Sequence, residues 1–514
     1  MTRVSMDVEA LRSAVASLRS TVDRTCEEWS AVGTKASLAL VSIHTTNGAL
    51  HAQVPRLGEL AAELESRVDL VELLNSDANG RFRTPAAGHQ VTVDVNGAWS
   101  SEADLAERLG EALAVFAASP HARTTEGMAA LEERVSRHAR NPLAMTAMLE
   151  DLGAAGLLDI MTQLATGSAR TAEEMQVRES VLSSFKQALR TADRAWTDAQ
   201  STEFATSLVD IAARTGDVSD YPDAGSFPAA LSYLLYDSDY TSAFLTAAGE
   251  RIDFHERVTY KNLPLFQAWP SGYGPSYWYQ LYPDGAKAAA SDLGVSFMSA
   301  LANNPQVALD FFTEGSQPKS VTDRQMHWLH DREWDQDQFA HLSEALLAAT
   351  TDPRLIQPPD SDFARKAAEL ASHTVNLLGH RGISGSLISD DSGPTVAAEN
   401  FALILSTYLH GVDRMLDSQE CAWDAGGEGA YPLKYASLEQ PNTPRFNRES
   451  LDAFIALAGS TESGFATMRA GWTHMRRRST RSPCTQWRPT RTTTRHGRSS
   501  NWRTRARRNS TGCS

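Results

Sequence analysis

The first 75 residues carry the clearest pattern of apolar and polar positions in the chain. Apolar side chains recur at alternating spacings of three and four: Val8, Leu11, Val15, Leu18, Val22 and Trp29. This spacing predicts an amphipathic helix that needs a partner helix, with its end at Gly33. A second stripe lies between Leu57 and Val71. Residues 4–74 are therefore expected to form an antiparallel helical hairpin, which defines a first domain at 1–80.

The remainder of the chain reads as helical, with one exception. Val91, Val93 and Val95 alternate with polar residues and precede Asn96-Gly97, which predicts a small β element near 89–99 that ends in a hairpin turn. The expected helices are 101–118, 124–139, 142–151, 154–165, 170–191, 200–214, 227–236, 239–249, 287–302, 305–314, 321–332, 336–349, 361–379, 394–417 and 448–470. The predicted class is mainly α, a helical hairpin followed by a multi-helix array, with further regions at 81–260 and 261–470.

Three short segments share a layout that suggests repeated helical units. Each opens with a polar cap and closes with a glycine, at Gly153, Gly249 and Gly315. A polar residue before a helix and a glycine just after it are the usual boundary signals. The three glycines are therefore expected at helix ends.

Charge divides the chain at about residue 471. The whole protein has 514 residues and a net charge of −15, but residues 471–514 contain 12 Arg and no Lys, Asp or Glu. Residues 1–470 consequently carry 36 basic and 63 acidic side chains, a net charge of −27. The negative net charge of residues 1–470 argues against nucleic-acid binding. The Arg/Ser/Thr-rich segment 471–514 is expected to be an unfolded tail, and a frameshifted reading of a GC-rich gene explains its composition better than a basic binding arm does.

Cysteine usage and hydropathy bear on the cellular location and on metal or cofactor binding. The four cysteines, Cys26, Cys421, Cys484 and Cys513, have neither zinc-ligand spacing nor a disulfide pattern. No signal peptide and no membrane span are predicted. The expected localisation is cytoplasmic, or secreted by a route that needs no cleaved signal. No metal or other cofactor is expected, because HExxH and Gly-rich phosphate loops are missing from the sequence.

Two features are candidates for chemistry. His327, His330, Asp331 and His341 lie close in sequence, and His327 and Asp331 have the i, i+4 spacing that could place two metal ligands on one helix face. The competing interpretation is a packed helix that directs Trp328, Leu329 and Trp334 inward. The second interpretation is favoured, and no catalytic residue is assigned.

The second feature is an aromatic-rich stretch at 264–282. It includes Trp269, Tyr273, Trp278 and Tyr279 among prolines and glycines. Such residues could stack on a sugar or a protein partner, or they could anchor a loop onto the helical layers. Together with the histidines at 327–341, this stretch could line the cleft of an enzyme.

The hairpin, with Trp29 and Gly33 near its turn, resembles the WxG-type helical hairpins exported by type VII (ESX) secretion. Residues 57–74 and Leu329-His-Asp331-Arg332-Glu-Trp334 are similar to large, mainly helical actinobacterial proteins of unknown function. Those proteins resemble the non-toxic front part of polymorphic toxins. The resemblance implies a secretion or interaction scaffold with a protein partner at the hairpin. The alternative is an enzyme that uses the aromatic stretch and the histidines.

Overall fold

The computed structural model describes residues 3–6, 8–38, 47–75, 91–94, 101–166, 171–214, 227–259, 269, 276–315, 318–334, 337–383, 395–417 and 443–481. Within them the protein is mainly α-helical, which confirms the predicted fold class. Among these residues no helix combines the length and the apolar character that crossing a bilayer requires.

The N-terminal region forms the predicted helical hairpin. Helix α1 spans Val8–Leu38 and helix α2 spans Asn47–Leu74. The predicted helix end at Gly33 is wrong, because α1 continues through Trp29 and Gly33 to Leu38. A single glycine inside a helix costs only about 1 kcal/mol, which contacts along a partner helix can offset.

A two-stranded antiparallel sheet accompanies the hairpin. Strand β1 (Arg3–Met6) pairs with β2 (Val91–Asp94), so that Arg3 lies opposite Asp94. The β element was predicted in the right place, but its partner precedes the hairpin instead of following Asn96-Gly97. The expected helical start at residue 4 is likewise wrong, because residues 3–6 are extended.

The described chain after the hairpin and β2, called the body, is built from short and medium helices. They are α3 (Glu102–Ala117), α4 (Thr125–His138), α5 (Pro142–Thr166), α6 (Ala172–Ala195), α7 (Asp198–Ala213), α8 (Phe227–Leu235), α9 (Ser242–Phe254), α10 (Ser276–Gln280), α11 (Leu293–Ala302), α12 (Pro305–Thr313), α13 (Pro318–Gln325), α14 (Ala340–Thr351), α15 (Pro353–Ile356), α16 (Asp362–Ile383), α17 (Thr395–Thr407), α18 (Leu409–Asp417), α19 (Arg448–Ala458) and α20 (Glu462–Arg481). The segments Pro120–Arg123 and Asp284–Ala290 are 3-10 turns, and His255–Thr259 and Met326–Asp331 are π-helical turns.

Helix boundaries follow local capping chemistry. Thr171 and Thr197 each form a capping box with the residue three positions later, which starts α6 and α7. Gly153 interrupts α5 with a φ of 63°, as expected for a glycine at a helix end. Gly249, by contrast, lies buried inside α9, so its predicted role as a helix end is wrong.

The C-terminal helices also depart from the prediction. The expected helix 394–417 is two helices, and 448–470 is replaced by α19 and α20. Helix α20 continues to Arg481, so residues 471–481 are helical and the expectation that the whole segment 471–514 is unfolded is wrong. Trp472 packs against the core. Residues 482–514 lie outside the described part.

One apolar core runs through the body. Buried side chains from both predicted regions, 81–260 and 261–470, belong to the same contiguous cluster. Helix α11 is its most enclosed element, because every residue from Leu293 to Leu301 is buried. Helices α8, α12 and α14 pack around it.

Candidate functional site

The four candidate metal ligands do not converge. His327 donates from Nε2 to Oε2 of Glu256 at 3.1 Å, and His330 contacts Asp331 at 2.8 Å. His341 contacts the carboxylate of Asp337 at 2.6 Å. Each histidine therefore has a carboxylate of its own. No group of three or more His, Cys, Asp or Glu side chains in the described part of the chain is placed to hold a metal ion.

His327 belongs to a buried charge network centred on Glu256. Both oxygens of Glu256 accept hydrogen bonds from Arg332, at 2.9 Å from Nε and 3.2 Å from Nη2. Trp269 also donates to Oε1 from its indole nitrogen, at 3.0 Å. The π-helical turn His255–Thr259 carries Glu256, whereas Arg332 directly follows the turn Met326–Asp331. This centre, termed the Glu256 network below, joins segments distant in sequence.

Arg332 also holds a second carboxylate. Its guanidinium donates to both oxygens of Asp292, which caps α11, and the side chain of Arg332 has no solvent exposure. The guanidinium lies 4.3 Å from the ring centre of Trp334 and 5.1 Å from that of Trp328. Two carboxylates and two aromatic faces therefore enclose one cation, an arrangement that suits the planar guanidinium.

The pKa shifts of Glu256 and Arg332 follow from this enclosure. Burial by itself raises the pKa of Glu256, but the charge of Arg332 and the hydrogen bonds hold that pKa far below its usual value. Burial likewise acts to lower the pKa of Arg332, whereas Asp292 and Glu256 raise it. Both groups are therefore fixed as ions across the physiological pH range, which is unsuited to a proton-transfer role.

An adjoining carboxylate, Asp253, extends the network along α9. It accepts a hydrogen bond from the indole nitrogen of Trp328 at 3.0 Å. Arg257 and Arg324 lie 3.0 and 3.3 Å from the same carboxylate. Trp328, Leu329 and Trp334 are buried, as expected from the packed-helix interpretation.

The described aromatic residues of the 264–282 stretch lie largely inside the protein. Trp269 and Trp278 are buried, and Tyr279 is half-buried against the core. Tyr273 lies outside the described residues. The rings of Trp269 and Trp278 serve to anchor this part of the chain onto the helices, so they offer no open stacking face to a ligand.

The hairpin meets the body through a second set of charges. Buried Asp69 of α2 binds Arg137 at 2.6 Å and His138 at 2.8 Å, both on α4. Glu72 binds Arg134 at 2.6 Å and Arg12 of α1 at 2.5 Å. Burial raises the pKa of Asp69, but hydrogen bonding to His138 and the charge of Arg137 lower it overall.

Nearer the start of α2, two leucines are exposed. Leu57 and Leu60 have 43% and 45% of their surface open to solvent. On the facing helix Val15 is buried, whereas Leu18 and Val22 are half-buried. Trp29 and Gly33 lie within the helical backbone of α1, toward its C-terminal end.

Sequence reasoning missed a cleft of about 780 Å³ between α9, α12, α13 and α16. Its charged and titratable lining is Glu250, Asp310, Glu314, Arg324, Lys366, Glu369 and His373. Burial raises the pKa of Asp310 and lowers that of His373 to about 4. The i, i+4 spacing of Glu369 and His373 was the available sequence signal, but the facing acids Asp310 and Glu250 lie about 60 and about 120 positions earlier in the chain.

Comparison with known proteins returns no relative. No protein-family model, curated protein or solved structure matches this chain.

Proposed function

We propose that this protein is a non-enzymatic helical scaffold whose N-terminal hairpin binds a helical protein partner. The observation that carries the proposal is the pair Leu57 and Leu60, one helical turn apart and exposed on α2. Exposed leucines beside a half-buried apolar stripe leave surface that a third helix could cover.

The state of the candidate histidines supports a structural role over the enzymatic alternative. A catalytic centre needs groups that can exchange protons or meet a substrate. His327, His330 and His341 each contact a different carboxylate and do not converge on one centre, and Trp269 and Trp278 are buried. These residues are therefore better suited to holding segments of the body together.

The interaction proposal is tested by site-specific photocrosslinking. A photoreactive residue placed at Leu57 or at Leu60 should capture the same protein in cells of the native host. Leu143, which is 51% exposed on α5, provides a matched control position. Leu57→Glu should abolish the adduct formed from position 60, because a charge in an apolar contact is costly.

Identical adducts from all three positions, or adducts that persist in Leu57→Glu, would refute a specific partner site on the hairpin. Circular dichroism of each variant checks that helicity is retained.

We also propose, from the WxG-type resemblance, that the hairpin addresses the chain to a type VII-like export route. The long helical hairpin supports this idea, since such a route accepts folded helical cargo. The test measures the chain in culture medium from cells with an intact or a disrupted secretion system. Export that depends on the system is expected, and strictly cytosolic retention in both strains would reject the proposal.

A further inference from the structure

Helices α7 and α9 lie side by side and leave an open groove between them. Near their starts Asp193 joins them, since its carboxylate accepts hydrogen bonds from the hydroxyl of Ser201 and the backbone nitrogen of Thr241, at 2.8 and 2.6 Å. Toward their ends Arg251 forms an ion pair with Asp210. The two helices therefore run in the same direction. The space between them, called the α7–α9 groove below, has a volume of about 870 Å³, in the range of small-molecule sites.

An exposed aromatic ring stands in the wall of this groove. Phe254, the last residue of α9, has 46% of its surface open to solvent. The guanidinium of Arg251 lies 5.3 Å from the ring centre. The neighbouring Asp253 is bound to Trp328 and Arg257, so this end of α9 is anchored in the body. Phe254 therefore presents an apolar face, at a fixed place, that a dissolved molecule can reach.

Hydroxyl groups line the same groove on both helices. Thr202 and Thr206 lie on α7, and Ser242 and Thr246 lie on α9. Helical threonines elsewhere in the chain donate to the carbonyl four residues before, as Thr351 does at 2.7 Å. The four groove hydroxyls form no hydrogen bond within the described part of the chain. They can therefore donate to a ligand and accept from it.

The charges in the groove restrict the class of ligand. Asp198 and Glu250 line it without an ion pair in the part of the chain that the structure describes, whereas the charge of Arg251 is matched by Asp210. The two carboxylates would repel an anionic ligand. A small cation would use these carboxylates but leave the hydroxyls unused. A neutral molecule with an apolar face and many hydroxyls would use the ring, the hydroxyls and the carboxylates together.

We propose that the α7–α9 groove binds a neutral oligosaccharide. The C–H face of a pyranose ring would pack on Phe254, and the sugar hydroxyls would pair with the groove hydroxyls and with the carboxylates of Asp198 and Glu250. From Ser242 to Phe254 the helix is about 18 Å long, which leaves room for more than one sugar ring.

Saturation-transfer NMR on the full chain with cellotetraose, maltotetraose and N-acetylchitotetraose tests the proposal. At least one of these neutral sugars should bind at a single site, with an affinity that added salt leaves unchanged. Phe254→Ala should weaken that binding by about tenfold or more, because the apolar face is lost, whereas Phe254→Trp should retain it. Phe363→Ala is the matched control and should leave the affinity unchanged. Phe363 is 43% exposed and also lies near a cation, Lys366, but it belongs to α16, outside the groove.

A second pair of variants tests the hydroxyls. Thr246→Val removes a groove hydroxyl and should weaken binding by about two- to tenfold. Thr351→Val removes a hydroxyl that already has a partner within α14, so the affinity should not change. Failure of all the sugars to bind, or equal weakening by Phe254→Ala and Phe363→Ala, would overturn the proposal. Binding that added salt abolishes would also overturn it, because the groove would then recognise charge instead of a sugar face.

Discussion

Two carboxylate-centred networks hold this protein together, and they differ in how far water reaches them. At the Glu256 network the side chains of Glu256 and Arg332 have no exposure. At the hairpin junction Asp69 is equally buried, but its partner Arg137 is 23% exposed and Arg12 is 40% exposed. The same kinds of ion pair therefore form out of contact with water at the Glu256 network and partly in contact with water at the hairpin junction.

The two networks therefore have different roles. The buried network fixes one arrangement of helices in the body, whereas the partly exposed network attaches the hairpin. Inside the body a lost partner leaves an ion that water cannot reach, so the Glu256 network requires one arrangement of α9, α11 and the turn before Arg332. At the hairpin, water can replace the 40% exposed cation Arg12 at modest cost. The body should consequently resist local opening, whereas the hairpin should be able to move or rearrange on meeting a partner.

Removing Arg332 should produce the largest loss of stability. Arg332→Met leaves Glu256 buried without its cation, and breaking a buried pair in this way costs about 3–5 kcal/mol. The free energy of unfolding is measured by urea denaturation. Arg108→Met, which removes an exposed partner of Glu111, is the control and should change stability little. Similar losses in the two variants would remove the distinction between enclosed and exposed networks.

The stability contributions of His373 and His341 should depend on pH with opposite signs, because burial dominates the pKa of His373 whereas Asp337 dominates that of His341. Burial lowers the pKa of His373 to about 4, so the folded chain binds fewer protons than the unfolded chain between about pH 6.5 and 4. Stability should fall as pH drops through that window, by up to about 1.4 kcal/mol per pH unit. His373→Phe should remove this dependence.

For His341, burial acts to lower the pKa, but the hydrogen bond and charge of Asp337 raise it overall. Its contribution is therefore full below about pH 6.5 and is lost as pH rises through the raised folded-state pKa. Asp337→Asn should flatten the alkaline part of the stability profile, measured by urea denaturation from pH 6 to 9. A profile unchanged by both variants would contradict these assignments.

The sequence predicts helices better than it predicts their partners. Apolar spacing located the hairpin, and Val91 to Val95 located β2. Pairing of β2 with β1 could not be read from the sequence, because a strand's neighbour depends on tertiary contacts and Asn96-Gly97 pointed forward along the chain. The helix end expected at Gly33 was wrong because one glycine inside a helix costs only about 1 kcal/mol, too little to end the helix by itself.

The candidate histidines and the cleft show the same limit, because the sequence did not reveal which residues meet in space. Proximity in sequence grouped His327, His330 and His341, yet each ring turns to a different carboxylate. The most important of these partners, Glu256, lies 71 residues before His327. The cleft likewise joins Asp310 to His373 from separate helices. Spacing reports which residues share a helix face, but it carries no information on which faces meet.

Glycine substitutions should distinguish the packing of the two regions. A Cβ at Gly249 in the body would collide with Cζ of Phe297, whereas one at Gly58 in the hairpin would lie 3.9 Å from Val22. Gly249→Ala should therefore cost about 1–3 kcal/mol through overpacking. Gly58→Ala should gain up to about 1 kcal/mol from helix propensity. The same sign for both changes in the free energy of unfolding would refute a loosely packed hairpin.

The smallest global effect is expected at the hairpin junction. Arg12→Met removes a half-exposed cation, while Arg134 remains within 2.6 Å of Glu72 and Arg137 within 2.6 Å of Asp69. Overall stability should fall by about 0.5–1 kcal/mol or less. Amide exchange should nevertheless quicken along α1 and stay unchanged in α11, because the arm opens without the body. Uniform exchange changes across both helices would show instead that hairpin and body unfold as one cooperative unit.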